Sequence, residues 1–509
     1  MKLFRLYKIV GLTSLFLAFN ACDVNDVDSA TLIPETTAYT DPAKITAVIN
    51  GVYEAAQRGW YAGAVDRGYP FGAASTEQGD LRGEDMYNDQ LFYEVTYTNA
   101  WTTTTANNNG MWIGLYRLIN RINVVLDGLD GAQASGVLTQ QQADSYRGEM
   151  YFLRALSNHE LLIHFSRPYS DNPAALGNVL RTVAINDVSK VAAGLEVPRS
   201  TVQQSYDAIL TDLNNAEALL GTSVSAAGPY RATKNAAIAL KTRIKLHMKD
   251  WDGVLAEYDK IKAAYTLTTS TEAPFVTWTS TEAVFSLQNS NVSNPGTNAA
   301  LANMYGSPGL GGRGLVKVSP IIWKSAFWQT SDTRRTLLTL SHSTGIYSNK
   351  YRKIGVNDDA IPLIRFAEVV LNASEAYARK NDTGNAITFL NRVRDRAKVT
   401  ATPFASYDLA ALGGTPAGVL DGIIKERRIE FLAEGRRWAD IHRLAGEGLI
   451  PGVPSKATTR SVTLLSQYST GTFTQDHSLP YTNDLFVWPI PLDEVLLNPV
   501  LAAQQNKGY

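Results

Sequence analysis

Glu426-Arg427-Arg428-Ile429-Glu430-Phe431-Leu432-Ala433-Glu434-Gly435-Arg436-Arg437-Trp438-Ala439-Asp440-Ile441-His442-Arg443 reads as one charged helix. Ile424, Phe431, Trp438 and Ile441 fall on one face, with Leu444 close by, which is the spacing of a core-facing stripe. Between them the charges alternate in sign. Glu434 can reach Arg437 across one turn, and Arg436 can reach Asp440. Gly435 in mid-helix costs about 1 kcal/mol against Ala, so a close backbone approach by a neighbouring element is expected there. No nucleophile or metal cage lies in the stretch. A charged helix locked into a helical core accounts for it.

The flanking chain keeps this helical rhythm. Asp41-Pro42 opens a helix to about Gln57, with Asp as cap and Pro in the first turn. Trp112, Leu115, Tyr116, Ile119, Ile122 and Leu126 form a helical stripe, and a second helix covers 140–165. Another runs from Pro198-Arg199-Ser200 to about Leu220, with Ser200 or Thr201 near its cap. Two helical hairpins follow. In 233–264 the turn is Lys249-Asp250-Trp251-Asp252; in 362–397 it is Asn381-Asp382-Thr383-Gly384. Paired helices of about 34 residues resemble tetratricopeptide repeats. The fold class expected is mainly α, helical hairpins with long irregular insertions and a few short strands.

The insertions lie at about 59–100, 266–360 and 446–485. The first is rich in Gly, Tyr and Asp, and the second in Thr, Ser, Asn and Gly around short β-like runs such as Ala283-Val284-Phe285-Ser286-Leu287. Long loops on a rigid scaffold tend to carry function. Nine tryptophans and 24 tyrosines are generous for 509 residues, and many fall in these loops. Indole and phenol faces stack on the apolar faces of sugar rings; the same surfaces serve peptides. The clusters singled out are Trp60, Tyr61, Asp66, Arg67 and Tyr69 in the first insertion, and Trp278, Tyr305, Trp323 and Tyr347 in the second. For any one of them, plain packing is the competing reading.

Charge and cysteine usage narrow the classes. The formal net charge is −1, and removing residues 1–21 takes away Lys2, Arg5 and Lys8 and no acid, leaving −4. Without a basic field, nucleic acid is not an expected partner. The single cysteine, Cys22, excludes an intramolecular disulfide and a Cys-based zinc site. It follows a basic start, an apolar run from Ile9 to Phe19 and the small Ala21, the pattern of a lipoprotein signal peptide of residues 1–21. Phe19 departs from the usual Leu three places before the cysteine. Cys22 would carry the lipid, and residues 22–40, opening on Asp23-Val24-Asn25-Asp26-Val27-Asp28, would be its tether.

Catalytic chemistry finds little support. The six histidines include no i,i+4 pair and no HExxH. Pro308-Gly309-Leu310-Gly311-Gly312-Arg313-Gly314 lacks the Lys-Ser/Thr of a phosphate loop and reads as a flexible loop. There is no Gly-x-Ser-x-Gly elbow. Carboxylates are plentiful, but Glu368, Glu375, Glu426, Glu430 and Glu434 fall on helices among basic partners, which argues against a glycosidase pair. No cofactor or metal is expected.

These stretches together resemble the SusD/RagB family. Glu426 to Arg443 is similar to its Glu-Arg-Arg…Glu-Gly…Arg-Trp-x-Asp signature. Trp112…Tyr116…Ile119-Asn120…Asn123, Glu149 to Ala155 and Pro198-Arg199-Ser200-Thr201-Val202 resemble its earlier elements in order. So do Ser331-Asp332-Thr333-Arg334-Arg335, Ile364 to Ala376, Leu390 to Ala397 and the ending Trp488-Pro489-Ile490-Pro491…Asn498-Pro499…Gly508-Tyr509. The resemblance implies a single domain over 41–509, held at the cell exterior on the outer membrane by its lipid. It implies non-enzymatic capture of a nutrient, an oligosaccharide or glycan first, and delivery to a SusC-like TonB-dependent transporter. The repeat helices would face that barrel. Peptide capture of the RagB type is the alternative within the family; a helical-repeat scaffold binding only proteins is the alternative outside it. The shared motifs are scaffold residues and match no ligand site.

Overall fold

The computed structural model describes residues 35–59, 67–222 and 228–509. The expected signal peptide and Cys22 lie outside the described residues. No described helix is long and apolar enough to cross a membrane.

Local chemistry starts the helices where the sequence places them. Helix α1 (Pro42–Arg58) is capped by Asp41, whose side chain accepts from the Ala43 and Lys44 amides at 2.7 and 3.3 Å. After α2 (Ala73–Leu81) come the long α3 (Ala106–Ala134) and α4 (Gln140–Phe165). A capping box of Thr139 and Gln142 starts α4, and one of Thr201 and Gln204 starts α5 (Val202–Leu219). Of the two cap candidates for α5, Thr201 is therefore the one used.

The two hairpins share one turn. Helices α6 (Lys234–His247) and α7 (Trp251–Ile261) are joined through Lys249 at φ 62° and the cap Asp250, which accepts from the Gly253 amide at 2.9 Å. Helices α8 (Phe366–Arg379) and α9 (Thr383–Arg394) are joined through Asn381 at φ 62° and the cap Asp382, which accepts from the Asn385 amide at 3.0 Å. The backbone of the two caps agrees closely, φ −86° and ψ 77° against φ −86° and ψ 75°. That match supports the repeat reading independently of sequence period.

The decisive stretch is not one helix. Helix α10 (Pro416–Glu430) stops, residues 431–436 turn, and α11 (Arg437–Gly446) starts afresh. Ala433 at φ 64° and Gly435 at φ 72° take left-handed backbone. The expected close approach at Gly435 is present: a Cβ there would lie 2.9 Å from the Thr76 backbone, and one on Gly79 would lie 2.2 Å from the Gly435 carbonyl oxygen. Helix α2 thus seats against the turn, backbone to backbone. Phe431, Trp438, Ile441 and Leu444 are buried as expected, whereas Ile424 is half-buried.

The charges also go elsewhere than expected. Glu434 pairs with Lys350 and Arg365, not Arg437. Arg437 reaches back to Glu84 at 2.7 Å, and Asp440 holds Arg427 and Arg443 at 2.8 and 2.9 Å instead of Arg436. All these groups are buried. The alternating signs are a wiring diagram between distant segments, not the solvated face of a helix.

The first insertion is interior. From Tyr69 to Asn88 every residue but Ser75 is buried. Strand β1 (Met86–Asn88) pairs antiparallel with β3 (Val316–Val318), joining the first insertion to the second. Strand β2 (Ala283–Leu287) pairs antiparallel with β4 (Ile361–Arg365), which runs directly into α8. The third insertion is pinned to the first by the buried Lys456 ammonium, which donates to the Leu81 and Tyr97 carbonyls at 2.8 and 2.9 Å, and to the second by the Tyr468 hydroxyl on the Val318 carbonyl at 2.7 Å.

The end of the chain returns to α3 and α4. The Trp488 amide donates to the His164 carbonyl, Asn506 donates to the Phe165 and Trp488 carbonyls, and the Trp101 indole donates to the Tyr509 hydroxyl at 2.8 Å. Trp438 is fully buried beside this seam, its indole N–H on the Ile163 carbonyl at 2.8 Å and its face 3.3 Å from the Arg82 guanidinium carbon. Trp438→Ala is expected to cost about 3–5 kcal/mol in urea unfolding. A loss below about 1 kcal/mol would show that the ring does not hold this part of the core.

Candidate functional site

The structure brings the first and second insertions into one body, and part of the expected site with them. Gly68 packs on Ala299, where a Cβ would meet the Ala299 oxygen at 3.2 Å. The Ala73 amide donates to the same oxygen at 3.3 Å. Tyr305 is fully buried and donates its hydroxyl to Asp80 Oδ2 at 2.7 Å. From Tyr305 an aromatic chain runs outward: its ring lies 6.1 Å from Tyr351, and Tyr351 stacks on Trp278 at 6.3 Å and 5°. Trp278 is half-buried at the end of that chain.

The other singled-out residues lie apart or inside. Tyr69 is buried against Gly110 and Gly114 of α3, which have no side chain to obstruct it, and accepts from Gln78 Nε2 at 2.5 Å. Tyr347 is buried, its hydroxyl 2.8 Å from Thr344 Oγ1. Trp323 is half-buried in a separate group with Trp328, Tyr468 and the Arg335 guanidinium, at 5.3, 6.4 and 4.4 Å. Arg67 is exposed in left-handed backbone, φ 50°. Trp60, Tyr61 and Asp66 lie outside the described residues.

Around Arg67 the surface forms a rim. Its guanidinium sits 5.2 Å from the centre of the Phe92 ring, and the Arg313 guanidinium sits 6.0 Å from the same ring. Arg313 also donates to Asn298. Leu91, 76% exposed, Val292, 87%, and Leu310, 63%, add apolar surface on the same loops. Phe92, Asn298 and Arg313 were not singled out from sequence. Arg313 sits in the glycine run read as a flexible loop. In the fold that run is doubled back: a Cβ on Gly312 would lie 2.3 Å from the Gly306 oxygen, and one on Gly314, at φ 56°, would lie 2.8 Å from the Tyr347 ring. Only glycine allows this tight path. The clue available in sequence was a lone arginine inside a glycine run.

A cavity of about 990 Å³ lies elsewhere, between α3 and residues 180–197. Trp112, Ile113, Tyr116, Arg121, Val191 and Leu195 are among its walls. The covering arm is tied to α3 by Asn120, which exchanges two hydrogen bonds with the Ile185 backbone at 3.0 and 2.8 Å, and by an Arg181–Glu494 ion pair. Gly59 lines this cavity, and Arg67 stands on the rim, so the two features flank opposite ends of segment 60–66. Its walls are mostly apolar with a few cations at the edge, a surface for packing rather than proton transfer.

Beneath the rim lies a buried acid layer. Burial pushes Asp80 up to about 7, against the opposing pull of the Tyr305 hydroxyl and the Gly435 amide. Burial likewise pushes Glu77 well above the usual carboxylate range. No group of three or more His, Cys, Asp or Glu with metal-binding geometry occurs among the described residues.

Comparison with known proteins gives consistent matches. A model of the SusD family matches residues 325–509, and a model described as "Starch-binding associating with outer membrane" matches residues 25–246. SusD-like protein P25 of Formosa agariphila is 22% identical over 98% of this chain and 99% of its own length. The crystal structure of a SusD superfamily protein from Bacteroides fragilis superposes with a TM-score of 0.76 and 26% identity, covering 91% of this chain and 99% of that one. A SusD-like carbohydrate-binding protein from Bacteroides vulgatus shares the fold, with a TM-score of 0.71, 18% identity and coverage of 92% and 98%.

Asp80 supplies a pH test. Between about pH 4, where a free aspartate ionises, and pH 7, folded Asp80 keeps a proton that the unfolded chain has released. Its contribution to stability is therefore complete below pH 4 and declines as pH rises to 7. Asp80→Asn removes this slope, so the variant is expected to gain stability relative to wild type from pH 4 to pH 7 in urea midpoints. A difference that does not change with pH would mean Asp80 is ionised throughout.

Proposed function

Because the chain belongs to the SusD/RagB family, we propose that it is a lipid-anchored protein of the outer-membrane surface that captures an oligosaccharide. It then delivers that ligand, chemically unchanged, to a SusC-like TonB-dependent transporter. The observation that carries the capture reading is the rim. There the fused insertions present an aromatic ring, guanidiniums and an amide on a tightly packed base, the mixture that meets both faces and hydroxyls of a sugar. A pre-formed base lowers the ordering cost of binding. The family description "Starch-binding associating with outer membrane" points to the same ligand class and the same membrane.

Within this reading the singled-out residues divide by burial. Arg67, Trp278 and Trp323 offer surface to a ligand, whereas Tyr69, Tyr305 and Tyr347 brace the loops that hold it. Trp60, Tyr61 and Asp66, outside the described residues, remain candidate contacts on the sequence reading alone. The repeat helices α6 to α9 are the face offered to the transporter. Peptide capture is the second reading, favoured by the exposed Leu91, Val292 and Leu310, which would suit apolar side chains.

Residues 23–509, made as soluble protein, are to be screened by calorimetry against neutral and acidic oligosaccharides and mixed peptides. A sugar that binds and loses about tenfold or more in affinity, roughly 1.4 kcal/mol, on Trp278→Ala or Trp323→Ala supports glycan capture. Peptides that bind while all sugars stay silent would replace it. For the anchor, Cys22→Ala is expected to release the protein from membranes, because acyl chains supply the binding. Unchanged fractionation with membranes in a strain without the transporter would remove Cys22 from that role.

A further inference from the structure

Two like charges share one ring on the rim. Arg67 and Arg313 are both exposed, and both lie against Phe92. Among the described residues no carboxylate lies within salt-bridge distance of either. Many other guanidiniums are satisfied inside the protein: Arg365, Arg334, Arg443 and Arg437 each meet at least two carboxylates, and Arg82, Arg199 and Arg335, which meet none among the described residues, donate to backbone carbonyls. The acid beneath the rim that acts on Arg313, Glu77, is buried, and burial works against its carrying the charge that would offset the guanidinium.

The positions are also fixed. The Arg313 amide donates to the Asn303 carbonyl at 2.7 Å, and the doubled-back glycines on either side leave its loop one path. Gly68, next to Arg67, takes φ 81° and would clash with Ala73 and Ala299 if it carried a side chain. Two mutually repelling cations held at set points on a ligand surface are complementary to an anion. A guanidinium fork matches carboxylate and sulfate oxygens in pairs.

Building on the capture reading above, we infer that the rim selects acid-bearing oligosaccharides, with an anionic substituent of the sugar seated between Arg67 and Arg313 and its ring against Phe92. A uronate carboxylate and a sulfate ester present the same chemistry to this pair.

The test uses full-length protein in detergent and calorimetry with matched ligands: an oligogalacturonide and its carboxyl-reduced neutral counterpart, and a sulfated galactan oligomer and its desulfated counterpart. At low salt at least one acidic ligand should bind tenfold or more tighter than its neutral counterpart, and that advantage should shrink in 0.5 M NaCl. Arg67→Gln and Arg313→Gln should each remove most of it, weakening the acidic ligand at least fivefold more than its neutral counterpart and leaving the melting temperature unchanged. Whichever acidic arm shows the advantage identifies the substituent. Equal binding of acidic and neutral partners, or an acidic preference that survives both substitutions, overturns the inference while glycan capture stands. If peptides bind and no sugar of either kind does, capture of glycans fails and this inference with it.

Discussion

A buried lattice of ion pairs holds the second insertion and the end of β4 against α10 and the turn that follows it. Arg365, from the end of β4, spreads its guanidinium over Glu282, Glu430 and Glu434 at 2.5–2.9 Å. Arg334 spans Asp332, Glu426 and Glu430, and Lys350 meets Glu434 at 2.6 Å. Arg396 closes the ring on Glu282 and Glu430. Taking such charges out of water is expensive, and the attraction repays it only where every donor and acceptor is matched. Once matched, removal of any one member strands its partners at a cost of about 3–5 kcal/mol. The carboxylates respond to their individual neighbours: even with burial opposing, the surrounding guanidiniums drive Glu430 far below its usual range and Asp440 to about 2, whereas at Glu426 burial prevails over Arg334 and raises it.

This lattice ties together elements that belong to different layers. Glu426, Glu430 and Glu434 come from α10 and the turn after it; their partners come from the second insertion and from the strand that opens α8. On the other side of the turn, Arg443 grips Glu375 of α8 and Arg437 grips Glu84 of the first insertion, while Arg428 of α10 itself reaches Glu84 and Asp85. The turn at 431–436 is what lets one short segment face both ways. A continuous helix would send these side chains around a single axis. The break, made by Ala433 and Gly435, instead opens a slot for α2. Scaffold and insertions are one unit for that reason, and the rim stands on that unit.

The helices were legible because their signals are local: Asp41-Pro42, the Ser200-Thr201 pair before α5 and the short polar turns of both hairpins each act within four residues. The break in the charged stretch was not, since Ala433 carries no mark of left-handed backbone and the stripe of Phe431, Trp438 and Ile441 survives it. Ion-pair partners were illegible because they are set by topology; Arg437 finds Glu84 353 positions away. Residues 69–88 looked like a loop because an element buried on every side has no amphipathic period. In the site, Arg67 stood out by its aromatic company, while Arg313 was masked by its glycines. That Tyr305 faces the core depends on Asp80, 225 positions earlier, and the place of Trp278 depends on its stacking with Tyr351 across the same insertion.

The seam made by the end of the chain bears on the order in which the molecule is assembled. Residues 488–509 supply the partners for the close of α4, for Trp101 and for Arg199, all within the first two-fifths of the sequence. A chain delivered from its N-terminus presents α3 and α4 long before that cover exists. Contacts of such sequence separation close late and slowly. Until they close, Trp112 and Phe165 remain available to whatever carries the nascent chain, so the interval of synthesis is also an interval of guardianship.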